Sequence, residues 1–267
     1  MNMQLTFYRS ATAAFAVMTL MTFTVPARAG LINGGFELTP GQTSRFVVPA
    51  VSPIPSLTGW SLGQAPGTEI SCVVVMGVPS PATSPGACQL WSGAGTTVVG
   101  PSTATTDSPS PAGGNYFFMD GDPNNASLLS QTLTDLTPNS NYDVTFWQSA
   151  AQETFLVGGS TVCGSPTTTD RWLVSFTGNP DQLSPLMCNA SKGFYGWESV
   201  TLTFSTGPTM TSAVLGFIAV GTPGGQPPVA LLDGISVTQV PEPPAWALVG
   251  FALASIAVAR RRQNRGS

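Results

Sequence analysis

Residues 142–150 read YDVTFWQSA, with Tyr142, Val144 and Phe146 alternating against Asp143, Thr145 and Trp147. Side chains that alternate residue by residue follow the period of a half-buried β-strand, not the 3.6-residue period of a helix. The turn-forming run TPNSN (137–141) stands directly before it, so the strand has a defined start. One such strand cannot bury its apolar face alone and requires partners.

The partners are found in both directions. Upstream lie LINGGFEL (31–38), LTGWSL (57–62), EISCVVVMGV (69–78), ACQLWSG (87–93), GNYFFMD (114–120) and SLLSQTLTDL (127–136). Downstream lie RWLVSFTG (171–178), WESVTLTFST (197–206), SAVLGFIAVG (212–221) and VALLDGISVTQ (229–239). Each reads as a short strand bounded by Gly, Pro, Asn or Ser. Residues 92–114, dominated by Gly, Ser, Thr and Pro, read as a long surface loop. The composition agrees: 8% of the 267 residues are charged, while 29 Gly and 24 Pro supply many turns. The expectation is all-β, an antiparallel β-sandwich or barrel. Helical signals are confined to the two termini.

The termini carry addresses. Arg9, the apolar SATAAFAVMTLMTF and the small residues of VPARA form a signal peptide over 1–29, with Ala27 and Ala29 placing cleavage before Gly30. Signal peptidase is therefore an expected partner, and the domain over 30–239 is expected outside the cytoplasm. At the other end Ala245 to Ala259 is uncharged. As a helix it covers about 22 Å, short of the roughly 30 Å hydrocarbon core. Arg260, Arg261, Arg262 and Arg265 follow, and Val240, Pro241, Glu242 and Pro243 precede it. This VPEP motif, apolar helix and arginine cluster, in that order, resemble the PEP-CTERM sorting signal of Gram-negative bacteria. The resemblance covers 240–267. It implies that an exosortase-type membrane protease holds the chain briefly at the inner membrane, removes the tail and releases the protein to the cell surface.

A second resemblance covers most of the domain. NGGFE (33–37), GW (59–60), SQTLTDLTPNSNYDVTFW (130–147), WESVTLTF (197–204) and LLDGISV (231–237) are similar to carbohydrate-binding-module-like jelly rolls of the galactose-binding type. It implies that Glu37 and Asp233 meet to ligate a structural calcium ion, and that exposed aromatics stack on sugar rings. Trp91 and Tyr195, each beside glycine-rich stretches, are the residues expected to form that platform. Trp147 and Trp197 fall within strand patterns and are expected in the core.

Several chemistries are excluded. No histidine is present, so Ser-His-Asp and Cys-His catalysis is out of reach. Cys72, Cys88, Cys163 and Cys188 lack metal-site spacing and read as two disulfides of an exported protein. Of three pairings, Cys72–Cys88 with Cys163–Cys188 is favoured, since each couple brackets a loop-like stretch. Between 30 and 239 only Arg45, Arg171 and Lys192 oppose twelve acids; three minus twelve leaves minus nine, which repels nucleic acid. DGDPNN (120–125) lacks the Gly and Glu of an EF-hand loop and reads as a turn. The remaining readings are a non-catalytic, polysaccharide-binding surface or matrix protein, a glycan hydrolase using a carboxylate pair (Asp120 with Asp122, or Glu153 with Glu198), and a purely structural envelope protein.

Overall fold

The structure is a computed structural model, and it describes residues 28–42, 46–63, 71–74, 90–91, 98–99, 109–122, 127–152, 167–190, 194–224 and 228–241. These form fourteen strands and no helix. The strands are β1 (Phe46–Val47), β2 (Ser61–Leu62), β3 (Ser71–Val74), β4 (Leu90–Trp91), β5 (Val98–Val99), β6 (Tyr116–Asp120) and β7 (Leu129–Leu133). They continue with β8 (Asn141–Gln152), β9 (Thr167–Phe176), β10 (Gln182–Leu183), β11 (Met187–Ala190), β12 (Tyr195–Ser205), β13 (Ala213–Thr222) and β14 (Pro228–Gln239). The two expected terminal helices lie outside the described residues.

Two antiparallel sheets pack face to face as a β-sandwich. Sheet A runs β1-β3-β6-β14-β8-β12, and sheet B runs β10-β9-β13-β7-β2 with β11 also on β9. In sheet A the alternation of β8 holds for its first half: Tyr142, Val144 and Phe146 are buried toward sheet B, while Asp143, Thr145 and Trp147 are half-buried on the outer face. The register sets Phe204, Leu202 and Val200 of β12 opposite Tyr142, Val144 and Phe146. In sheet B, Leu215, Phe217 and Ala219 of β13 supply the matching inner face.

Rings dominate the interior. Phe217 lies 6.5 Å from Trp60, 5.4 Å from Phe146 and 6.1 Å from Trp172, each edge-on. Phe36 adds Trp60 and Phe117 at 5.5 and 5.6 Å, and Phe176 stacks on Phe204 at 5.3 Å. Edge-on and offset geometries let ring edges meet ring faces, which adds to the gain from burial. Polar bridges then fix one sheet against the other. The Trp172 indole donates to the Leu231 carbonyl at 3.0 Å. Gln148, fully buried, accepts from Ser184 Oγ at 2.5 Å and donates to the Pro185 carbonyl and Glu198 Oε1 at 3.1 and 2.6 Å. A buried amide is tolerable only with its groups so satisfied.

Sheet A is buried on both faces along part of its length. Cys72, Tyr116, Phe118, Ala151, Val229 and Leu231 form a second apolar cluster on its outer side, with Phe194 and Trp197 packed half-buried against it. The two-stranded ribbon β4–β5 lies apart from both sheets, and β4 packs on β8.

Some expectations need correction. LINGGFEL is a turn, not a strand, because Asn33 and Phe36 adopt left-handed φ of 56° and 57°. The stretch 92–114 is not wholly loop, since it contains β5 and the buried Ser110. Just before the expected cut, Ala29 is buried with its N–H donating to the Val237 carbonyl, and Arg28 bridges Thr238; the cleavage position itself stays an expectation.

Phe217→Ala removes the ring shared by Trp60, Phe146 and Trp172. Chemical denaturation is expected to show a loss of about 3–5 kcal/mol, the range for an aromatic deleted from a packed core.

Candidate functional site on the outer face of sheet A

The site starts from an irregularity in β14. Its pairing with β8 shifts between Asp233 and Ser236, and Gly234 sits at φ 57°. Such a bulge re-aims the side chains around it. Val229, Leu231 and Asp233 face outward before it; Ile235 and Val237 enter the core after it, leaving Ser236 and Thr238 half-buried. Glycine is needed at 234 for that φ and for space, because a Cβ there would stand 2.7 Å from Ala112 Cβ and 3.0 Å from Trp147 Cδ1.

Asp233 is fully buried. Its Oδ1 accepts from the Gly234 N–H at 2.6 Å, and Ser110 hydrogen-bonds its carboxyl. Its Oδ2 is buried without a partner. The 33–38 turn brings Glu37 alongside. Asn33 holds that turn, accepting from the Leu38 N–H at 2.8 Å and donating to the carbonyls of Leu38 and Thr58 at 3.2 and 3.1 Å. Phe36 plugs into the core, and exposed Glu37 accepts the Asn115 N–H at 2.6 Å through Oε1. Gly35 separates the two acids: a Cβ on it would lie 3.7 Å from Asp233 Oδ1 and 4.0 Å from Glu37 Cγ. The structure therefore brings together the two acids that the sequence paired. Burial pushes the Asp233 carboxyl up to about 7; the Ser110 and Gly234 hydrogen bonds pull it down, and the Glu37 charge adds to the rise. Among the described residues, no group of three or more His, Cys, Asp or Glu side chains is placed to hold a metal ion.

Beside Asp233 lies an open polar strip. Trp147 pairs with Asp233 on one side and Ser199 on the other. Along β8 and β12 follow Thr145 with Thr201, their hydroxyls 3.0 Å apart, then Asp143 with Thr203, whose hydroxyl donates at 2.6 Å. Ser236 and Thr238 flank Thr145 and Asp143 from β14. One half-buried indole at the end of a row of hydroxyls thus occupies the outer face of sheet A.

The other sequence-derived candidates fall elsewhere. Tyr195 is half-buried against the sandwich core at the β12 bulge, and Glu198 hydrogen-bonds its hydroxyl. Burial and then the Glu198 charge raise that hydroxyl's pKa, and Glu198 links it to Gln148. Trp91 lies in β4, its side chain outside the described set. Trp147 and Trp197 are not in the sandwich core: the first borders the hydroxyl strip and the second joins the outer cluster. Asp120 and Asp122 are both buried, and Glu153 lies outside the described residues. Cys72 and Cys188 are each disulfide-bonded; Cys88 and Cys163, and with them the pairing, lie outside the described residues. Val240 closes the fold by donating to the Asn141 carbonyl at 2.8 Å, and Pro241 is exposed. Glu242, Pro243, Arg260, Arg261 and Arg262 lie beyond the described residues. Among those residues, no helix is long and apolar enough to cross a membrane.

No family model matches the chain, and no curated protein matches it. Solved structures with a similar chain path include a cyclase from Fischerella sp. TAU in complex with 4-(1H-indol-3-yl)butan-2-one. It is 18% identical with a TM-score of 0.48, over 81% of this chain and 100% of that one. TmCBM61 in complex with beta-1,4-galactotriose is 14% identical with a TM-score of 0.39, over 80% and 100%. A CBM4 structure is 12% identical with a TM-score of 0.36, over 78% and 99%.

Because the folded Asp233 carboxyl titrates near 7 instead of 3.8, the native state holds a proton that the unfolded chain has released. Its contribution is complete below the unfolded value and is lost as pH rises through about 7. In chelator, thermal unfolding is expected at lower temperature at pH 8 than at pH 5. Asp233→Asn should shrink that difference, and an unchanged difference would refute the assignment.

Proposed function

We propose that the protein is an exported, non-catalytic component of the cell surface or extracellular matrix whose sandwich binds extracellular polysaccharide. The observation that carries this reading is Trp147, half-buried at the end of the Ser199, Thr145, Thr201, Asp143 and Thr203 strip. A pyranose ring presents an apolar face to an indole and hydroxyls to the polar groups around it. The strip is built on two long paired strands, so it is rigid before any sugar arrives, and that lowers the ordering cost of binding.

Calcium fits at Glu37 and Asp233. The unpartnered buried Oδ2 of Asp233 and the adjoining Glu37 carboxylate offer hard oxygen donors, and their mutual repulsion is what a divalent cation relieves. Its role there is structural: it ties the 33–38 turn to β14 and so steadies the backbone under Trp147. The jelly-roll assignment follows from the same resemblance that paired these acids.

Delivery is proposed to follow the terminal signals, with export through the 1–29 peptide, transient retention by the C-terminal helix and exosortase-type cleavage near Val240–Pro243. Two features support it. The disulfide bonds of Cys72 and Cys188 suit an oxidising compartment, and the VPEP motif begins where β14 ends, with Pro241 exposed. The non-catalytic reading is supported by the acids themselves: Asp120 and Asp122 are buried, and Glu198 is engaged by Gln148 and Tyr195.

Isothermal titration of the oxidised protein with the producing cell's own exopolysaccharide tests the reading. Saturable binding without fragment release is expected. Trp147→Ala should weaken it at least tenfold while leaving the unfolding midpoint nearly unchanged, and chelation should weaken it in the wild type but not in Asp233→Asn. Release of sugar fragments would instead establish the hydrolase, and no binding would end the carbohydrate reading. Intact-mass analysis of the surface fraction should show loss of the segment after the Val240–Pro243 motif; a retained tail would refute exosortase processing.

A further inference from the structure

Among the described residues the edges of the two sheets are unequal. Sheet B ends on the two-residue β2 at one side and on β10 and β11, of two and four residues, at the other. Sheet A ends at one side on the two-residue β1. Its other edge is β12, eleven residues long and paired with β8 on one flank only. A long edge recruits further strands, because its outward N–H and C=O groups are a template for pairing. The usual guards are missing here: β12 holds no lysine or proline, and its one charged side chain, Glu198, is engaged by Gln148 and Tyr195.

The direction of each backbone group in β12 follows from its partners. Val200, Leu202 and Phe204 stand opposite Phe146, Val144 and Tyr142, and the Thr206 N–H continues that side by donating to the Ser140 carbonyl at 2.9 Å. The odd-numbered residues between them turn their N–H and C=O away from β8. At Ser205 both outward groups are taken by one side chain: its N–H donates to Asn179 Oδ1 at 2.9 Å, and its carbonyl accepts from Asn179 Nδ2 at 2.8 Å. A single amide thus reproduces both hydrogen bonds of a ladder rung. Two residues back, the Thr203 carbonyl accepts from Gln182 Nε2 at 2.7 Å. Both amides are held from behind. The Asn179 N–H donates to the Phe176 carbonyl at 3.0 Å across a turn with Gly178 at φ 80°, and Gln182 is in register with Val174 of β9. Ser199 and Thr201 share the outward phase, and among the described residues nothing bonds their backbone groups on that edge.

We propose that Asn179 and Gln182 form a plug that stands in for a missing neighbour strand and bars a second copy of this chain from adding to sheet A at β12. The edge suits a second copy by its own symmetry. An antiparallel copy about a two-fold axis at Leu202 sets Thr201 opposite Thr203 and Ser199 opposite Ser205, so hydroxyl side chains meet and no acid faces an acid. Two acidic domains can therefore join there without burying a carboxylate in the ladder. With the amides in place, that register is closed at Thr203 and Ser205. A copy laid on Ser199 and Thr201 alone runs into the same two side chains within one further turn of the pleat. The plug does for β12 what shortness does for β1, β2 and β10.

Sedimentation velocity of the oxidised protein over a series of concentrations tests this. Asn179→Ala combined with Gln182→Ala should self-associate at least tenfold more tightly than the wild type. Thr201→Pro then reports whether β12 is the surface used. The Thr201 N–H faces away from β8, so proline there removes no bond of the existing ladder. Added to the double variant, it should return self-association to the wild-type level. Amide exchange supplies a reading that does not require the double variant to fold. In dilute wild type the Ser205 N–H, capped by Asn179, should exchange at least tenfold more slowly than the Thr201 N–H. A double variant that associates no more than the wild type would overturn the proposal. So would association that survives Thr201→Pro, or a Thr201 amide as protected in dilute wild type as that of Ser205.

Discussion

Phe217 holds the two sheets in register. Its ring meets Trp60 from the first loop region, Phe146 from sheet A and Trp172 from sheet B, so three separate parts of the chain converge on one side chain. In a chain with 8% charged residues, few ion pairs are available to fix a fold, and aromatic packing with a handful of buried hydrogen bonds carries that task. The Trp172–Leu231 bond and the Gln148–Ser184 pair act with it, because each crosses between the sheets and loses its partner if the sheets slide. Specificity of packing and satisfaction of buried polar groups here point to the same arrangement, the condition for a single native state.

The two faces of sheet A show what that arrangement makes possible. Toward β6, the end of β8 and the start of β14, its outer side is sealed by Tyr116, Phe118, Leu231 and their neighbours. Toward the start of β8 it is open and lined with hydroxyls. The bulge at Gly234 is the boundary between the two regimes, and it is there that the buried Asp233 and half-buried Trp147 stand side by side.

Much of this was readable in the chain. Every long strand follows its alternation or its bounded apolar run, and β8 shows it most plainly: Trp147 already stood in the phase of Asp143 and Thr145, the outward one. Reading it as core gave residue type precedence over position. The pairing of Glu37 with Asp233 came from resemblance, and the structure brings them together around Gly35. What escaped the sequence depends on non-local backbone geometry. The 31–38 segment has strand-like apolar content, yet left-handed Asn33 and Phe36 turn it, and only the tertiary hole filled by Phe36 explains why. The two-residue strands are likewise defined by the neighbours they pair with, not by any pattern of their own.

β14 is the last strand among the described residues but an interior strand of its sheet, hydrogen-bonded to β6 on one side and β8 on the other. A pull applied at Pro241 therefore runs along a strand gripped from both flanks. The load falls on both ladders at once, in shear, and cannot open them one rung at a time as it could at an edge. Trp172, bonded to the Leu231 carbonyl of the same strand, carries part of that load into the opposite sheet. For a domain held by its C-terminal end, the point of attachment is thus a strand braced on both flanks and tied to the opposite sheet.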